Sequence, residues 1–308
     1  MSGPLAPGPH GGDVERIAAS LGRTVDDVLD LSASLNPLAP DARPALRAAL
    51  DRVRHYPDDT RATAALAEAI GVDPARLVLT NGGAEAIALV ARHRPVGWAD
   101  GCDFSLYRRH LARLDPAGPR WRSDPHNPTG RLAAADDVAE VRDEAFYLLA
   151  TGTWTRGDRD VTVLGSLTKA WAVPGIRIGY VLARDDAEAD AVRALRPRWS
   201  VNGLVCAALP TLLDLADPTG WRDGIAELRS QLCDLLRRDG FDADPSDAPY
   251  VWVPDAAGLR HRLLTEGVIV RHGGTFGHPD AVRIAVPDAD GLERLERALS
   301  ATHHRSDP

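Results

Sequence analysis

Apolar runs of four or five residues, each too short for a helix, recur between longer stretches with helical spacing: Leu77-Val78-Leu79-Thr80, Val161-Thr162-Val163-Leu164 and Ile178-Gly179-Tyr180-Val181-Leu182. Runs of that length and β-branched content read as buried strands, and their alternation with helices argues for an α/β layer architecture with a mainly parallel sheet. Upstream, residues 14–21 have helical spacing, and the strand-like Leu29-Asp30-Leu31-Ser32 runs into Asn36-Pro37. Beyond residue 196 the character changes. Residues 199–213 form an uncharged, buried helix, 221–238 a long charged amphipathic helix, Tyr250-Val251-Trp252-Val253 and Val268-Ile269-Val270 strands, and 292–299 a closing helix. The chain thus divides into an N-terminal arm and substrate-side segment (1–36), a large domain (37–195) and a small α+β domain (196–308). Residues 1–12, rich in Pro and Gly, read as extended, and both termini as disordered.

Charge removes several classes of partner. The chain carries 36 basic and 44 acidic residues, a net charge of −8, with no basic block interleaved with aromatics, so neither nucleic acid nor an anionic membrane is an expected partner. The 15 uncharged residues at 199–213 include Asn202 and Pro210 and fall short of the roughly 20 apolar residues of a membrane span. The opening MSGPLAPGPHGG has neither a basic region nor an apolar core, so secretion by signal peptide is not expected. Three scattered cysteines, Cys102, Cys206 and Cys233, suit neither a disulfide framework nor a thiolate metal site. The expectation is a reduced, cytoplasmic protein with no metal.

The basic residues are uneven in kind: 35 are arginine and one, Lys169, is lysine. An amine forms a Schiff base with an aldehyde, which a permanently protonated guanidinium does not. Lys169 lies in Ser166-Leu167-Thr168-Lys169, directly after an expected strand and eight residues before Arg177, and is read as a site of amine chemistry. A second element, Thr80-Asn81-Gly82-Gly83-Ala84-Glu85, takes a strand through a Gly-Gly turn into a helix. Free N–H groups and the positive helix end then point at one spot, the makings of a phosphate cradle, although such turns also serve as plain connections. Ser166, Thr168 and Arg177 would add side-chain donors there. Two polar clusters lie between these elements, Asp124-Pro125-His126-Asn127-Pro128-Thr129-Gly130 and Asp143-Glu144-Ala145-Phe146. A carboxylate beneath a pyridine ring keeps its nitrogen protonated and makes the ring an electron sink, and Asn127 could donate to a phenolate oxygen on the same ring.

In this order, Asn81 to Glu85, His126 to Gly130, Asp143 to Phe146, Ser166 to Lys169 and Gly175-Ile176-Arg177-Ile178-Gly179-Tyr180 resemble the fold-type I pyridoxal-phosphate enzymes of the aminotransferase superfamily. The resemblance covers most of the chain. His10-Gly11-Gly12-Asp13, Leu31-Ser32-Ala33-Ser34-Leu35-Asn36-Pro37 and Arg198-Trp199-Ser200-Val201-Asn202-Gly203-Leu204 resemble the cobalamin-pathway threonine-phosphate decarboxylase branch more than its near relative, histidinol-phosphate aminotransferase. The resemblance implies pyridoxal 5'-phosphate as cofactor, Lys169 as its covalent anchor and Asp143 as the partner of its ring nitrogen. It further implies Asn127 on the ring hydroxyl, Ser166, Thr168, Arg177 and the Gly83 and Ala84 backbone on the phosphate, and Phe104 stacked on the ring. Tyr56 would reach a neighbouring subunit's site in a homodimer. Arg271 and Arg283 would bind substrate carboxylate or phosphate, with His10 and Asn36 as further substrate contacts. The implied activity is decarboxylation of L-threonine O-3-phosphate to aminopropanol phosphate. The alternatives are a histidinol-phosphate or related small-substrate aminotransferase, and a cofactor-binding but inactive interaction or regulatory protein.

Three features depart from the pattern. Asn127 and Asp143 are 16 positions apart and Thr80 and Arg122 are 42 apart, both shorter than usual in the family, so a helix and a strand of the large domain are expected to be missing or reduced. The sheet would then be rebuilt around fewer elements, or the large domain compromised. Phe146 replaces a frequent tyrosine, and Leu35 a polar residue common in the branch.

Overall fold

The computed structural model describes residues 6–8, 10–157 and 160–303. Of the stretch 1–12 expected to be extended, residues 1–5 and 9 lie outside the described residues, as do 304–308 at the other end. Eleven strands are formed among the described residues: β1 (Leu29–Leu31), β2 (Leu77–Thr80), β3 (Val96–Ala99), β4 (Arg113–Leu114), β5 (Arg120–Ser123), β6 (Val141–Asp143), β7 (Thr162–Gly165), β8 (Gly179–Leu182), β9 (Tyr250–Val253), β10 (Val268–His272) and β11 (Val282–Ala285).

Seven of them make one sheet in the order β2-β8-β7-β6-β5-β3-β4, parallel throughout except that β8 is antiparallel to both neighbours. One face carries Val78, Trp121, Val141, Leu164 and Val181 beneath the helices Gly83–His93 and Asp186–Leu195. The other is apolar only over β2, β8 and β7, where Leu77, Leu79, Val163, Tyr180 and Leu182 meet the helices Thr60–Ile70 and Gly203–Asp214. The latter helix, read from sequence as part of a domain starting at residue 196, thus belongs to the core of the large sheet. Its buried face is Val205, Cys206, Ala208, Leu209 and Leu212, while Ala207, Thr211 and Asp214 face solvent.

The sheet has seven strands, and the shortening expected of a helix and a strand falls at two places. What is reduced is β4, to two residues, and the connection 124–140 between the parallel strands β5 and β6, which contains no helix. The register explains why none is needed. Arg122 pairs with Arg142 and shares its face with Arg120, so this half of the face presents guanidinium groups rather than an apolar surface. Carboxylates of the connecting loop cover them. Asp124 Oδ2 lies 3.2 Å from Arg142 Nη1 and 3.5 Å from Arg156 Nη1, and Asp137 pairs with both Arg120 and Arg122. An ion-pair layer, with no helix in the connection, covers this half of the face.

The remaining strands form a second sheet, β1-β10-β11-β9, with β1 parallel to β10 and the other pairs antiparallel. The helices Pro218–Arg238, Leu259–Thr265 and Ala289–His303 contribute to its core. The strand-like segment near residue 30 is therefore woven into the small sheet rather than lying apart as an arm, because β10 would otherwise expose an unpaired edge.

Candidate active site

The C-terminal ends of β5, β6 and β7, the β2–helix turn and the small sheet enclose a cavity of about 210 Å³. Parallel strands place their C-terminal ends on one side, so residues distant in sequence converge there. Of the residues singled out from sequence, His10, Gly83, Ala84, Phe104, Asn127, Asp143, Ser166, Thr168, Lys169, Arg177, Arg271 and Arg283 line this cavity.

Lys169 sits in the turn of helix that follows β7 and is half-buried; its desolvation, with Arg283 and Arg177 nearby, lowers its pKa to about 8. At pH 7.5 this raises the uncharged amine from roughly 0.1% to about a quarter. Asp143 ends β6. Burial pushes its pKa up to about 6, against the effect of the hydrogen bonds donated by the Tyr107 hydroxyl (2.8 Å) and the Ala145 amide (3.0 Å). The next residue, Glu144, is also raised by burial, to about 7, but its carboxylate turns away to the Arg156 amide.

The turn after β2 is built for close approach. A Cβ on Gly82 would meet Arg177 Nη2 at 2.3 Å, and one on Gly83 would meet the Ser166 Cβ at 3.3 Å, so Arg177, Ser166 and the N-terminus of the helix Gly83–His93 crowd one corner. Arg177 holds a left-handed backbone (φ 57°), which costs a non-glycine residue about 1 kcal/mol or more. Thr168 steadies it: its hydroxyl donates to the Ile178 carbonyl at 3.1 Å and accepts from the Ile178 amide at 3.3 Å. The Thr168 side chain is thus engaged with backbone beside the corner.

Arg271 and Arg283 are direct cross-strand partners on β10 and β11. Arg283 is buried over the Tyr250 ring (4.7 Å) and donates to Asn127 Oδ1 at 2.6 Å and to the Ser32 carbonyl at 3.3 Å. Arg271 donates to Thr275 Oγ1 at 2.7 Å and to the Gly8 carbonyl at 3.3 Å; burial and the Arg283 charge lower its pKa to about 10.

Two sequence candidates stand elsewhere. Asn36 is buried outside the cavity lining; its amide side chain donates to the Ala170 carbonyl (2.8 Å) and its backbone amide to the Lys169 carbonyl (3.0 Å). That geometry corrects its assignment as a substrate contact: the side chain is spent on holding the lysine turn. Tyr56 is 78% exposed and stacked on Trp199 with 4.4 Å between ring centres. Sequence reading missed Tyr107, Ser34, Ser123 and Phe276 in the lining. Tyr107 follows Phe104 by one helical turn, a spacing that could have signalled that both face the cavity.

The fold and this pocket define a class, the fold-type I pyridoxal-phosphate enzymes. The family model for aminotransferase class I and II matches residues 123–299, and the chain belongs to that family. The chain is 28% identical to histidinol-phosphate aminotransferase 1 of Dechloromonas aromatica, with 96% of each covered, and 30% identical to threonine-phosphate decarboxylase of Salmonella typhimurium, with 94% of this chain and 95% of that one covered. Both alignments, 358 and 354 positions, are longer than this chain, as deletions within it require. Among solved structures, histidinol-phosphate aminotransferase from Sinorhizobium meliloti in complex with pyridoxal-5'-phosphate superposes with a TM-score of 0.82 at 21% identity, covering 98% of this chain and 96% of that one. The chain is therefore a pyridoxal-phosphate-dependent enzyme. Its residues suit the cofactor: a glycine turn that a Cβ would fill, an arginine and a serine at a helix N-terminus, a half-buried amine and a half-buried carboxylate share one cavity.

Proposed function

We propose that the enzyme acts at Cα of a small phosphorylated amino compound, with amino transfer from histidinol phosphate as the first reading. The observation that carries the proposal is that two buried, paired arginines face the same cavity as Lys169 and Asp143, giving one pocket both amine chemistry and seats for anions. Decarboxylation of O-phosphothreonine, favoured by the sequence motifs, is the second reading; it draws support from the 30% identity to a threonine-phosphate decarboxylase. Two arginines suit a substrate bearing both phosphate and carboxylate, whereas the preponderance of histidinol-phosphate aminotransferases among similar proteins favours the first.

Bound pyridoxal phosphate supplies an aldehyde for covalent attachment and a ring that withdraws electrons from Cα. In this reading Lys169 Nζ is the attachment point and, once released, the group that moves a proton at Cα; its lowered pKa keeps part of it in the basic form. Asp143 holds a proton on the ring nitrogen. Tyr107 fixes the carboxylate's orientation and Asn127 donates to the ring hydroxyl. Ser166, Arg177 and the Gly83 and Ala84 amides seat the cofactor phosphate, with Phe104 stacked on the ring. Arg271 and Arg283 bind the substrate's anionic groups, displacing the carbonyls they now hold, and His10 closes the same end. The exposed Tyr56 reaches a second copy's pocket in a homodimer.

The deciding experiment supplies O-phosphothreonine, and separately histidinol phosphate with 2-oxoglutarate, to the cofactor-loaded protein. Glutamate formation supports amino transfer, and carbon dioxide release without keto-acid consumption supports decarboxylation. Binding of the cofactor with turnover of neither overturns both readings and leaves an inactive binding protein.

A further inference from the structure

Asp103 lies between β3 and the short helix Ser105–His110, does not line the cavity and is 1% exposed. Its carboxylate is fully engaged. Oδ1 accepts from the Phe104 amide at 2.6 Å and from the Ser123 hydroxyl at 2.5 Å, and Oδ2 accepts from the Ser123 amide at 3.0 Å. The Ser123 hydroxyl in turn accepts from the Asn127 backbone N–H at 2.8 Å. One turn beyond Phe104, Tyr107 packs edge-on against the Phe104 ring and donates to Asp143. A single carboxylate thus ties three walls of the pocket to one another: the Phe104 ring, the loop of Asn127 at the end of β5, and, through the helix that begins at Phe104, the hydroxyl that fixes Asp143.

Burying a charged carboxylate is costly unless donors satisfy it, and here the donors come from the segments that carry the ring-facing residues. No helix lies between β5 and β6 to brace the Asn127 loop from behind. We infer that Asp103 is a positioning residue for cofactor binding, setting the Phe104 ring directly and, through Ser123 and the Asn127 backbone, the Asn127 side chain against the cofactor. The inference rests on the proposed placement of pyridoxal phosphate and needs no choice between the two activities.

The test compares Asp103→Ala, Asp103→Asn and Ser123→Ala with the unaltered chain by pyridoxal-phosphate titration, visible circular dichroism of the bound cofactor and thermal unfolding. Asp103→Ala should weaken cofactor affinity by about tenfold or more and diminish the visible dichroic band, which reports ring asymmetry. Asp103→Asn keeps one acceptor oxygen but can set an N–H against the Ser123 amide, so it should fall between. Ser123→Ala, which spares the bond from the Phe104 amide, should produce a smaller loss. Affinity and dichroism within twofold of the unaltered chain in folded Asp103→Ala overturn the inference, and if that variant does not fold, the same result in Asp103→Asn and Ser123→Ala overturns it. Failure of the underlying reading would instead show as an unaltered chain with no cofactor band.

Discussion

Asp124→Ala tests whether ion pairs stabilise the helix-free face of β5 and β6. Asp124 and Arg142 are each 1% exposed, and the carboxylate also receives Arg156 and, at 2.8 Å, the Ala133 amide that fixes the loop. Removing one partner of a buried pair costs about 3–5 kcal/mol, since the remaining charge stays desolvated. Arg142 keeps a bond to the Asp137 carbonyl at 2.9 Å, which puts the loss near the lower end, about 3 kcal/mol. With an unfolding entropy of roughly 2.1 cal/mol/K per residue, about 650 cal/mol/K for the whole chain, this lowers the melting temperature by about 4–5 °C. Differential scanning calorimetry on the cofactor-loaded protein measures it. The double variant Asp124→Ala with Arg142→Met should regain part of the loss, because the fully buried guanidinium is removed, while Arg156 keeps the Ala134 and Ala135 carbonyls at 3.1 and 3.0 Å. A shift under about 1 °C in Asp124→Ala, or strictly additive losses in the double variant, would refute the reasoning.

Lys169→Ala should show no covalently bound cofactor band and no turnover, checked by absorbance and product assay; retention of the band would remove Lys169 from its role. In the unaltered cofactor-free protein, the rate of covalent attachment should climb about tenfold per pH unit and level off above pH 8, following deprotonation of Lys169, as stopped-flow absorbance can show. Arg283→Lys should raise KM for the phosphorylated substrate by about 10–100-fold, since a point charge replaces a fork that binds anions bidentately; an unchanged KM places the anion elsewhere. Because the folded-state pKa of Asp143 is raised, to about 6, its burial reduces the stability of the cofactor-free protein as pH rises from about 4 to 6, by up to about 3 kcal/mol. Denaturant unfolding of Asp143→Asn should lack that component, and identical pH profiles for the two proteins would contradict it.

The legible part of the fold was the part made of apolar residues. β2, β7, β8, β9 and β10 are recognisable as short β-branched or aliphatic runs within a residue or two of their ends. β3, β4, β5 and β6 were not identified, because Val-Gly-Trp-Ala, Arg-Leu, Arg-Trp-Arg-Ser and Val-Arg-Asp carry arginine, glycine or aspartate where a buried strand carries valine. The arginines of β5 and β6 are neutralised in the sheet by Asp124 and Asp137, which arrive from a loop, a tertiary fact that no local pattern contains. In the pocket, residues with distinctive chemistry, above all Lys169, stood out from sequence. Asp103 did not, since one aspartate among many shows its importance only once its three donors are assembled around it.

The pairing of β1 with β10 joins Leu29 to Val268, across about 240 residues of intervening chain. During synthesis, at roughly 5–20 residues per second, the N-terminal strand must wait on the order of 10–50 s before its partner exists. The large sheet draws all its strands from residues 77–182 and can assemble in that interval, while Ser32 and Ser34, which follow β1 into the pocket wall, cannot be fixed in place until the far end of the chain emerges. Completion of the pocket is therefore tied to completion of the polypeptide, so a stalled or truncated chain would carry a finished sheet and an unfinished site.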